Sequence, residues 1–373
     1  MLYPLISASS RSGRARSHPE RFAALFFLAV LLFLSGCGLA APPAELSPSP
    51  APALSPMPEP SPSPSPTSSP APSPSLTPSP SPSPSPTPSP SPSPSPSPSP
   101  EPTPEPPEGF SPCADGLYWK LENGVLTIGG QGYMADYGAS EHLPPWKEQG
   151  GPIHSLVIQE GVRSVGANAF YSCLELSRVS LPQGLERIGD SSFTYCLQLW
   201  ELQLPQGLTD IDDSAFGNCV NLKSVSFPEG LERIGDYAFH SCSDLISLTL
   251  PEGLTELGAY AFFGCTQLHR VDLPESLRSI GPYAFRACLC LQELRLPPEL
   301  PLLAEGLCYE CFALSSVTVP SGVRQIGDYA FYHCNALQLI RFTGSVGEWE
   351  AIPRGRGCEA LDTVLLLCEE DAD

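Results

Sequence analysis

The chain has 373 residues, with 47 Pro, 14 Cys and a formal net charge of −21. Thirty of the prolines fall within residues 41–110, so about a fifth of the chain has too few apolar side chains to form a core. The net acidity excludes nucleic acid as a partner, because no basic field is available to neutralise phosphates. Residues 109–373 remain, and they are long enough for one sizeable core.

The N-terminus has the organisation of an export signal. A basic run containing Arg11, Arg14, Arg16 and Arg21 precedes an apolar stretch from Phe22 to Leu34. This stretch is too short to span a bilayer core of about 30 Å, but it has the length of a signal-peptide apolar region. It ends in Leu34-Ser35-Gly36-Cys37, which resembles a bacterial lipobox. The resemblance implies a lipoprotein signal peptide over residues 1–36, with cleavage before Cys37 and a lipid on its sulfur. An ordinary secretory signal with a chance cysteine is the alternative.

Residues 42–107 alternate Pro with Ser, Thr, Ala and Glu, and we predict a disordered stalk over residues 37–108. Proline favours extended backbone, so the alternating segment behaves as a semi-rigid spacer of at most about 200 Å, at about 3.1 Å per residue. Loss of residues 1–36 leaves 15 Lys and Arg against 39 Asp and Glu, a net charge of −24. We expect a lipid-anchored protein on the extracellular face of the bacterial cell membrane, projecting through the cell wall. A passive linker is the alternative to a stalk.

The C-terminal part repeats with a fixed period. Eight cysteines recur at intervals of 23 residues: Cys173, Cys196, Cys219, Cys242, Cys265, Cys288, Cys311 and Cys334. Apolar residues follow at three, six and eight positions after each cysteine, and the alternation around position seven predicts a short strand. A proline ends nearly every strand, because it cannot donate to the next ladder bond. A fixed period of this kind predicts a solenoid, in which stacked coils bury what a single coil leaves exposed.

A full repeat reads LSRVSLPQGLERIGDSSFTYC from Leu176 to Cys196. It resembles the BspA-like leucine-rich repeat family, and the resemblance covers roughly residues 113–368. It implies a β-rich solenoid over residues 151–342, built from 23-residue coils with short helical or turn segments. Residues 109–150 resemble the family's β-hairpin N-terminal cap, and residues 343–373 resemble its C-terminal cap. The coil at residues 300–311 departs from the pattern, and we expect it to be the weakest-packed coil or a slight bend.

The cysteines raise the question of a metal site. Cys288-x-Cys290 and Cys308-x-x-Cys311 have a spacing that zinc sites use. The period favours structural packing instead, since Cys288 and Cys311 are repeat positions and Cys308 occupies a Phe slot. We expect no metal or cofactor site and mostly free thiols, some bonded to neighbouring backbone.

Two further questions concern pairing and catalysis. Cys358 and Cys368, near the end of the chain, are candidates for a disulfide, and the sequence leaves this open. The histidines fall at different repeat positions, and no phosphate loop, nucleophile elbow or paired-carboxylate motif occurs. We therefore expect no enzyme activity, with a thiol-dependent enzyme as the rival hypothesis.

Two rows of residues are candidates for partner binding. Positions four, five and seven after the repeat cysteine point outward from the strand and form columns across the coils. The predicted face consists of Arg178, Ser180, Trp200, Glu201, Gln203, Lys223, Ser224, Ser226, Ser247, Thr249, His269, Arg270, Asp272, Glu293 and Arg295. A solvated face without a partner is the alternative. A second row contains Tyr237, Tyr260, Tyr283 and Tyr329, for which packing over the turn competes with an interface role.

The resemblance implies a cell-surface binding or adhesion lipoprotein whose solenoid recognises a protein on host or neighbouring cells. The alternative is a structural or envelope-maintenance protein that binds cell-wall components or itself. Solenoids offer extended binding surfaces, which is the physical basis for the first hypothesis.

Overall fold

The computed structural model describes residues 106–114, 116–138, 140–148 and 151–369. The predicted signal peptide, Cys37 and nearly all of the predicted stalk lie outside the described residues. The described part forms a β-solenoid of about nine turns, with coils of about 23 residues and little helix, which confirms the predicted fold class.

Each coil contributes one strand to each of two faces. The N-terminal strands are β1 (Ser111–Ala114), β2 (Leu117–Glu122), β3 (Val125–Gly130) and β4 (Gly132–Tyr133). The first face then contains β5 (Ser155–Ile158), β7 (Arg178–Ser180), β9 (Glu201–Gln203), β11 (Ser224–Ser226), β13 (Ser247–Thr249), β15 (Arg270–Asp272), β17 (Glu293–Arg295), β19 (Ser316–Val319), β21 (Leu339–Phe342) and β22 (Leu365–Cys368). The second face contains β6 (Val162–Val165), β8 (Arg187–Ile188), β10 (Asp210–Ile211), β12 (Arg233–Ile234), β14 (Glu256–Leu257), β16 (Ser279–Ile280), β18 (Leu302–Leu303) and β20 (Gln325–Ile326).

The sheets follow the coil order. On the first face, β1, β2 and β3 form an antiparallel meander. Strand β3 also pairs in parallel with β5, and β5 pairs in parallel with β7. The remaining strands of that face pair as β9–β11, β13–β15 and β17–β19–β21–β22. The second face is one seven-stranded sheet from β4 to β16, followed by the pair β18–β20. Paired residues of successive coils are 23 apart, as in Asp210 with Arg187 and with Arg233.

Helical structure is confined to short segments. In the described residues, α1 (Pro145–Glu148) precedes the first coil, and α2 (Val346–Ala351) follows β21. Ser345 caps α2 through a reciprocal capping box with Glu348. A 3₁₀-helix at Glu359–Asp362 leads into β22. None of these helices has the length and apolar character that a bilayer crossing requires.

A column of stacked aromatic rings runs through the core. Phe170, Phe193, Phe216, Phe239, Phe262 and Phe285 are fully buried, with successive ring centroids 5.1 to 5.8 Å apart. Trp146 of α1 stacks on the first of these rings at 5.7 Å and donates through Nε1 to the Ala169 carbonyl at 2.9 Å. The Trp ring therefore closes the N-terminal end of the column, and Cys308 ends the run at its other side.

The repeat cysteines form a second buried column. Seven of the eight thiols, from Cys196 to Cys334, lie 3.0 to 3.5 Å from a carbonyl oxygen of the preceding coil. For the first six, that acceptor belongs to the Phe residue of the aromatic column. The same oxygen also accepts the N–H of the repeat cysteine in its own coil, as Phe193 does from Cys196 at 3.1 Å. Each coil is thus bonded to the next inside the core, which confirms the predicted thiol–backbone bonds.

The coil at residues 300–311 differs from its neighbours in its backbone. Its interior side chains are as buried as those of other coils, with Leu303, Leu307 and Cys308 fully buried, so the departures from the repeat do not expose the core. The interruption lies between β16 and β18, which do not pair. At the equivalent position of the preceding coil, the N–H of Arg278 donates to the Thr255 carbonyl at 3.0 Å. Pro301 has no N–H to continue this ladder.

The tyrosine row packs on itself outside the turn. The rings of Tyr237 and Tyr260 stack with centroids 4.7 Å apart, and those of Tyr260 and Tyr283 stack at 4.9 Å. All three residues have a left-handed φ of 55 to 58°. The equivalent position in the next coil is Gly306, against which the Tyr283 ring lies so closely that a Cβ would come within 2.1 Å of it. Ring faces in this row therefore pack against the equivalent residues of neighbouring coils.

We expect the buried thiols to make the protein sensitive to alkali. Burial raises the pKa of Cys219 to about 12 and that of Cys173 to about 11 from an ordinary value of 9.0. A thiol with a raised folded-state pKa contributes its stability below the unfolded-state pKa and loses it as pH rises toward the folded-state pKa. The urea midpoint should therefore fall above about pH 9. The free energy of unfolding should decrease by up to about 1.4 kcal/mol per pH unit for each thiol that titrates. Urea unfolding followed by circular dichroism from neutral to alkaline pH measures this decrease.

The variant Cys219→Ala isolates the thiol contribution from that of tyrosines and lysines. Its midpoint should fall less steeply with pH than that of the wild type. Equal slopes in the two proteins would contradict the assignment.

We also expect the solenoid to open first at the coil that contains Pro301. Hydrogen exchange read by mass spectrometry should show lower protection over residues 301–304 than over residues 278–281 of the preceding coil, because the backbone ladder is interrupted there. The variant Pro301→Thr restores an N–H and should raise protection in this segment. Equal protection of the two segments in the wild type would exclude a weak joint.

Candidate protein-binding face

The predicted face residues all lie on one surface of the solenoid. We define the strand face as the outward side chains at positions five and seven after the repeat cysteine, on the strands β7 to β21 of the first face, together with the side chain at position four just before each strand. Each residue of the predicted set is exposed, apart from Asp272, which is half-buried. The structure thus brings the whole set together, and parallel pairing lines its members up, as in Ser224 beside Glu201 and Ser226 beside Gln203.

Strand alternation explains why these side chains point outward. In β9 the central Leu202 is buried, whereas Glu201 and Gln203 on either side are exposed. The same exposed–buried–exposed pattern holds in β13 and β17. The interior apolar residue at position six therefore dictates the exposure of positions five and seven.

Two large apolar side chains stand on the strand face at position four. Trp200 is 50% exposed and Ile246 is 51% exposed. Lys223 lies between them, because its N–H donates to the Trp200 carbonyl at 3.0 Å and its own carbonyl accepts from Ile246 at 3.3 Å. An exposed tryptophan is among the side chains that most often anchor protein interfaces.

Cations without a charge partner concentrate on the strand face. Most of the fifteen Lys and Arg side chains in the described residues form ion pairs, often with a carboxylate of an adjacent coil, such as Arg233 with Asp212 at 2.8 Å. Five form neither an ion pair nor a side-chain hydrogen bond within the described part of the chain: Arg178, Lys223, Arg295, Arg324 and Arg341. All but Arg324 lie on the strand face.

One pair on the face is internally neutralised. Arg270 donates through Nε to both carboxylate oxygens of Asp272, at 2.9 and 3.0 Å. This pair is highly exposed, so solvent screens it and its contribution to stability is small. It separates the Lys223 region from the cations nearer the C-terminus.

A groove occupies the C-terminal part of the strand face. It has a volume of about 440 Å³ and is lined by residues of β17, β19 and β21 and the positions before them. The predicted residues Glu293 and Arg295 line it, and so do Gln338 and Arg341, which the sequence reasoning did not include. Arg341 continues the column of Arg295 and Thr318 at the same 23-residue interval, so extending the column by one more coil identifies it.

Cys288 and Cys311, two of the cysteines with a zinc-like spacing, are packing residues of the core. Cys288 and Cys311 are fully buried and donate to backbone carbonyls, and burial raises the pKa of both thiols, which keeps them protonated. A protonated thiol is neither a nucleophile nor a zinc ligand. In the part of the chain that the structure describes, no three His, Cys, Asp or Glu residues are grouped to hold a metal ion. Near the C-terminus, the Cys358 thiol donates to the Gly327 carbonyl at 3.4 Å.

Three solved structures illustrate what the chain is similar to. A leucine-rich repeat protein from Bacteroides ovatus is 22% identical, with 70% of this chain and 79% of that chain covered and a TM-score of 0.45. A leucine-rich repeat protein of T. pallidum is 28% identical, with 62% and 90% covered and a TM-score of 0.37. A leucine-rich cell surface protein from Faecalibacterium prausnitzii is 18% identical, with 65% and 97% covered and a TM-score of 0.30. Scores of this size carry no functional argument.

A comparison with curated proteins found no match. A family model described as the BspA type leucine-rich repeat region matches residues 149–269 and 232–351 and counts six copies of the repeat. The matched residues span more than half of the chain, and they contain the coils whose stacking is described above. The chain therefore belongs to the BspA-type leucine-rich repeat family.

Proposed function

We propose that the chain is a bacterial surface lipoprotein that binds another protein through the strand face. The observation that carries the proposal is the composition of that face: half-exposed Trp200 and Ile246 stand beside cations that no carboxylate of the described chain neutralises. Aromatic residues and arginines dominate the binding energy of protein interfaces, so this combination suits a protein ligand. Adhesion to host or neighbouring cells is the role that this arrangement fits.

Surface presentation follows from the N-terminal sequence. The lipobox-like Leu34-Ser35-Gly36-Cys37 supplies a lipid anchor, and the Pro-rich segment separates the solenoid from the membrane. A binding face held away from the membrane meets a partner outside the cell. The role is non-catalytic, since the buried thiols of the core are protonated and bonded to backbone.

The variant Trp200→Ala tests the binding face. The immobilised full chain is screened against host matrix proteins and against cell-wall fractions, and affinities are measured by surface plasmon resonance. Loss of an aromatic anchor should weaken binding about 30-fold, equivalent to about 2 kcal/mol. The matched control is Tyr133→Ala, a 61% exposed aromatic residue on β4 of the second face, which should leave affinity unchanged.

Three results would contradict the proposal. Binding to cell-wall fractions alone would assign the structural or envelope role instead. A partner bound equally by wild type and Trp200→Ala would exclude this part of the strand face. Absence of any protein ligand in the screen would exclude the binding function itself.

The variant Cys37→Ser tests the anchor. Serine cannot accept the thioether-linked lipid, so the full chain should move from the membrane fraction into the medium or remain as an unprocessed precursor. Immunoblotting of fractions and the mass of the N-terminal peptide measure this. The control Cys113→Ser changes a cysteine outside the repeat and should stay in the membrane fraction. Membrane retention of the processed Cys37→Ser protein would show that no lipid on this residue holds it.

A further inference from the structure

The C-terminal end of the strand face differs from the rest in having two unpaired arginines in one row. Arg295 of β17 pairs in register with Thr318 of β19, which pairs with Arg341 of β21. The two arginines are thus two strands apart, about 10 Å at about 4.8 Å per strand. Both are exposed, and neither forms an ion pair within the described residues. The chain has 40 Asp and Glu residues, yet no carboxylate of the described residues forms an ion pair with Arg295 or Arg341.

The groove beneath these arginines is lined by hydrogen-bonding groups. Thr318 presents a hydroxyl between the two cations, Ser316 presents one in the neighbouring row between Glu293 and Leu339, and Gln338 presents an amide at the rim. Glu293 is the carboxylate among the lining residues. Guanidinium groups with hydroxyl neighbours match a carboxylate, which accepts charge-assisted hydrogen bonds from both.

An apolar strip adjoins the arginine row. Leu365 and Leu367 of β22 are 61% and 43% exposed, and they point to the same side as the strand face. In register, Leu365 lies beside Leu339 and Leu367 lies beside Arg341. Two exposed leucines on a terminal strand leave apolar area in water that a partner would cover.

We infer that Arg295, Arg341 and Leu367 form a subsite for an extended acidic segment of the protein partner, in which a carboxylate side chain precedes a large apolar one. This inference rests on the proposed function and specifies the chemistry of the ligand. The carboxylate sits at Thr318 between the two arginines, and the apolar side chain covers Leu365 and Leu367.

The strand spacing sets the distance between the two features of the ligand. Thr318 of β19 and Leu367 of β22 are two strand spacings apart, about 10 Å, because β21 lies between them. An extended segment crossing the strands advances about 3.3 Å per residue, so the apolar side chain follows the carboxylate by about three residues. Because side chains of an extended segment alternate in direction, two neighbouring residues of each type ensure that one of each faces the subsite. A sulfated glycan would satisfy the arginines, but it has no apolar side chain to cover Leu365 and Leu367.

A labelled synthetic peptide tests the subsite. The probe is a peptide of about twelve residues, mostly Gly and Ser, that carries two Glu and then Phe and Leu about three residues later. Its affinity for the full chain is measured by fluorescence anisotropy at low and moderate salt. Control peptides replace the two Glu by Gln, or the Phe and Leu by Ser, and each should bind at least about tenfold more weakly.

Variants of the protein locate the binding. The double variant Arg295→Gln/Arg341→Gln and the variant Leu367→Ser should each weaken binding of the peptide by about tenfold or more. The matched controls are Arg324→Gln, the unpaired arginine off the strand face, and Leu302→Ser, equally exposed at 43% on β18. Both should bind the peptide like the wild type. All the altered side chains are exposed, and circular dichroism checks that each variant folds.

Four results would overturn the inference. The first is a probe peptide that does not bind, and the second is equal affinity of the peptide for the double variant and the wild type. The third is an arginine-dependent binding of heparin that displaces the peptide, and the fourth is self-association that the double variant abolishes. The outcome is separable from that of the proposed function. A partner that is lost with Trp200→Ala but retained by the double variant would leave the function standing and exclude this subsite.

Discussion

The structure depends on the bonding of each coil to the next within the core. A coil of 23 residues has a single layer of Leu, Phe and Cys side chains and no second layer to cover it, so burial requires a neighbouring coil. The carbonyl of each aromatic-column Phe accepts an N–H from its own coil and a thiol from the next, as Phe216 does from Cys219 and Cys242. The thiol bond links successive coils and helps to fix the translation between them, whereas the N–H bond holds the turn within one coil. The constant 23-residue period of the sequence reflects this fixed translation.

The gap in the hydrogen-bond ladder at Pro301 shows that strand pairing and side-chain burial contribute separately to the stacking of coils. The second-face ladder breaks between β16 and β18, yet Leu303 and Cys308 remain fully buried. The buried side chains, the bond from the Cys311 thiol to the Phe285 carbonyl and backbone bonds along the turn, such as that from the Phe285 N–H to the Leu307 carbonyl at 3.0 Å, thus hold the two coils together at this joint. At the N-terminal end, Trp146 lies outside the repeat but stacks its ring on Phe170, so it extends the aromatic column by side-chain packing.

The fixed translation also arranges the charges of the surface. On the second face, cations and carboxylates of adjacent coils meet, as do Arg163 with Glu186 and Arg233 with Asp210. On the strand face, Ser and Thr occupy many of the equivalent positions, so Arg178, Lys223, Arg295 and Arg341 are left without a carboxylate. Four of the five cations without an ion pair in the described residues therefore lie on one surface, the one that also carries the exposed Trp200 and Ile246. That surface is suited to a partner with complementary carboxylates and apolar side chains.

The sequence by itself determined the period, the inward positions, the strand columns and the family, because a periodic chain of alternating apolar residues has one way to bury them. It placed Trp200 and Arg295 on the outward face for the same reason. Only the tertiary structure decided which cations are paired, since a side chain reaches across coils to a partner that no period specifies. It likewise decided that Pro301 breaks a ladder rather than the packing, because the lost group is a backbone donor. It also brought Leu367 beside Arg341, because β22 returns to β21 through a non-repeating segment whose register depends on packing and not on the 23-residue interval.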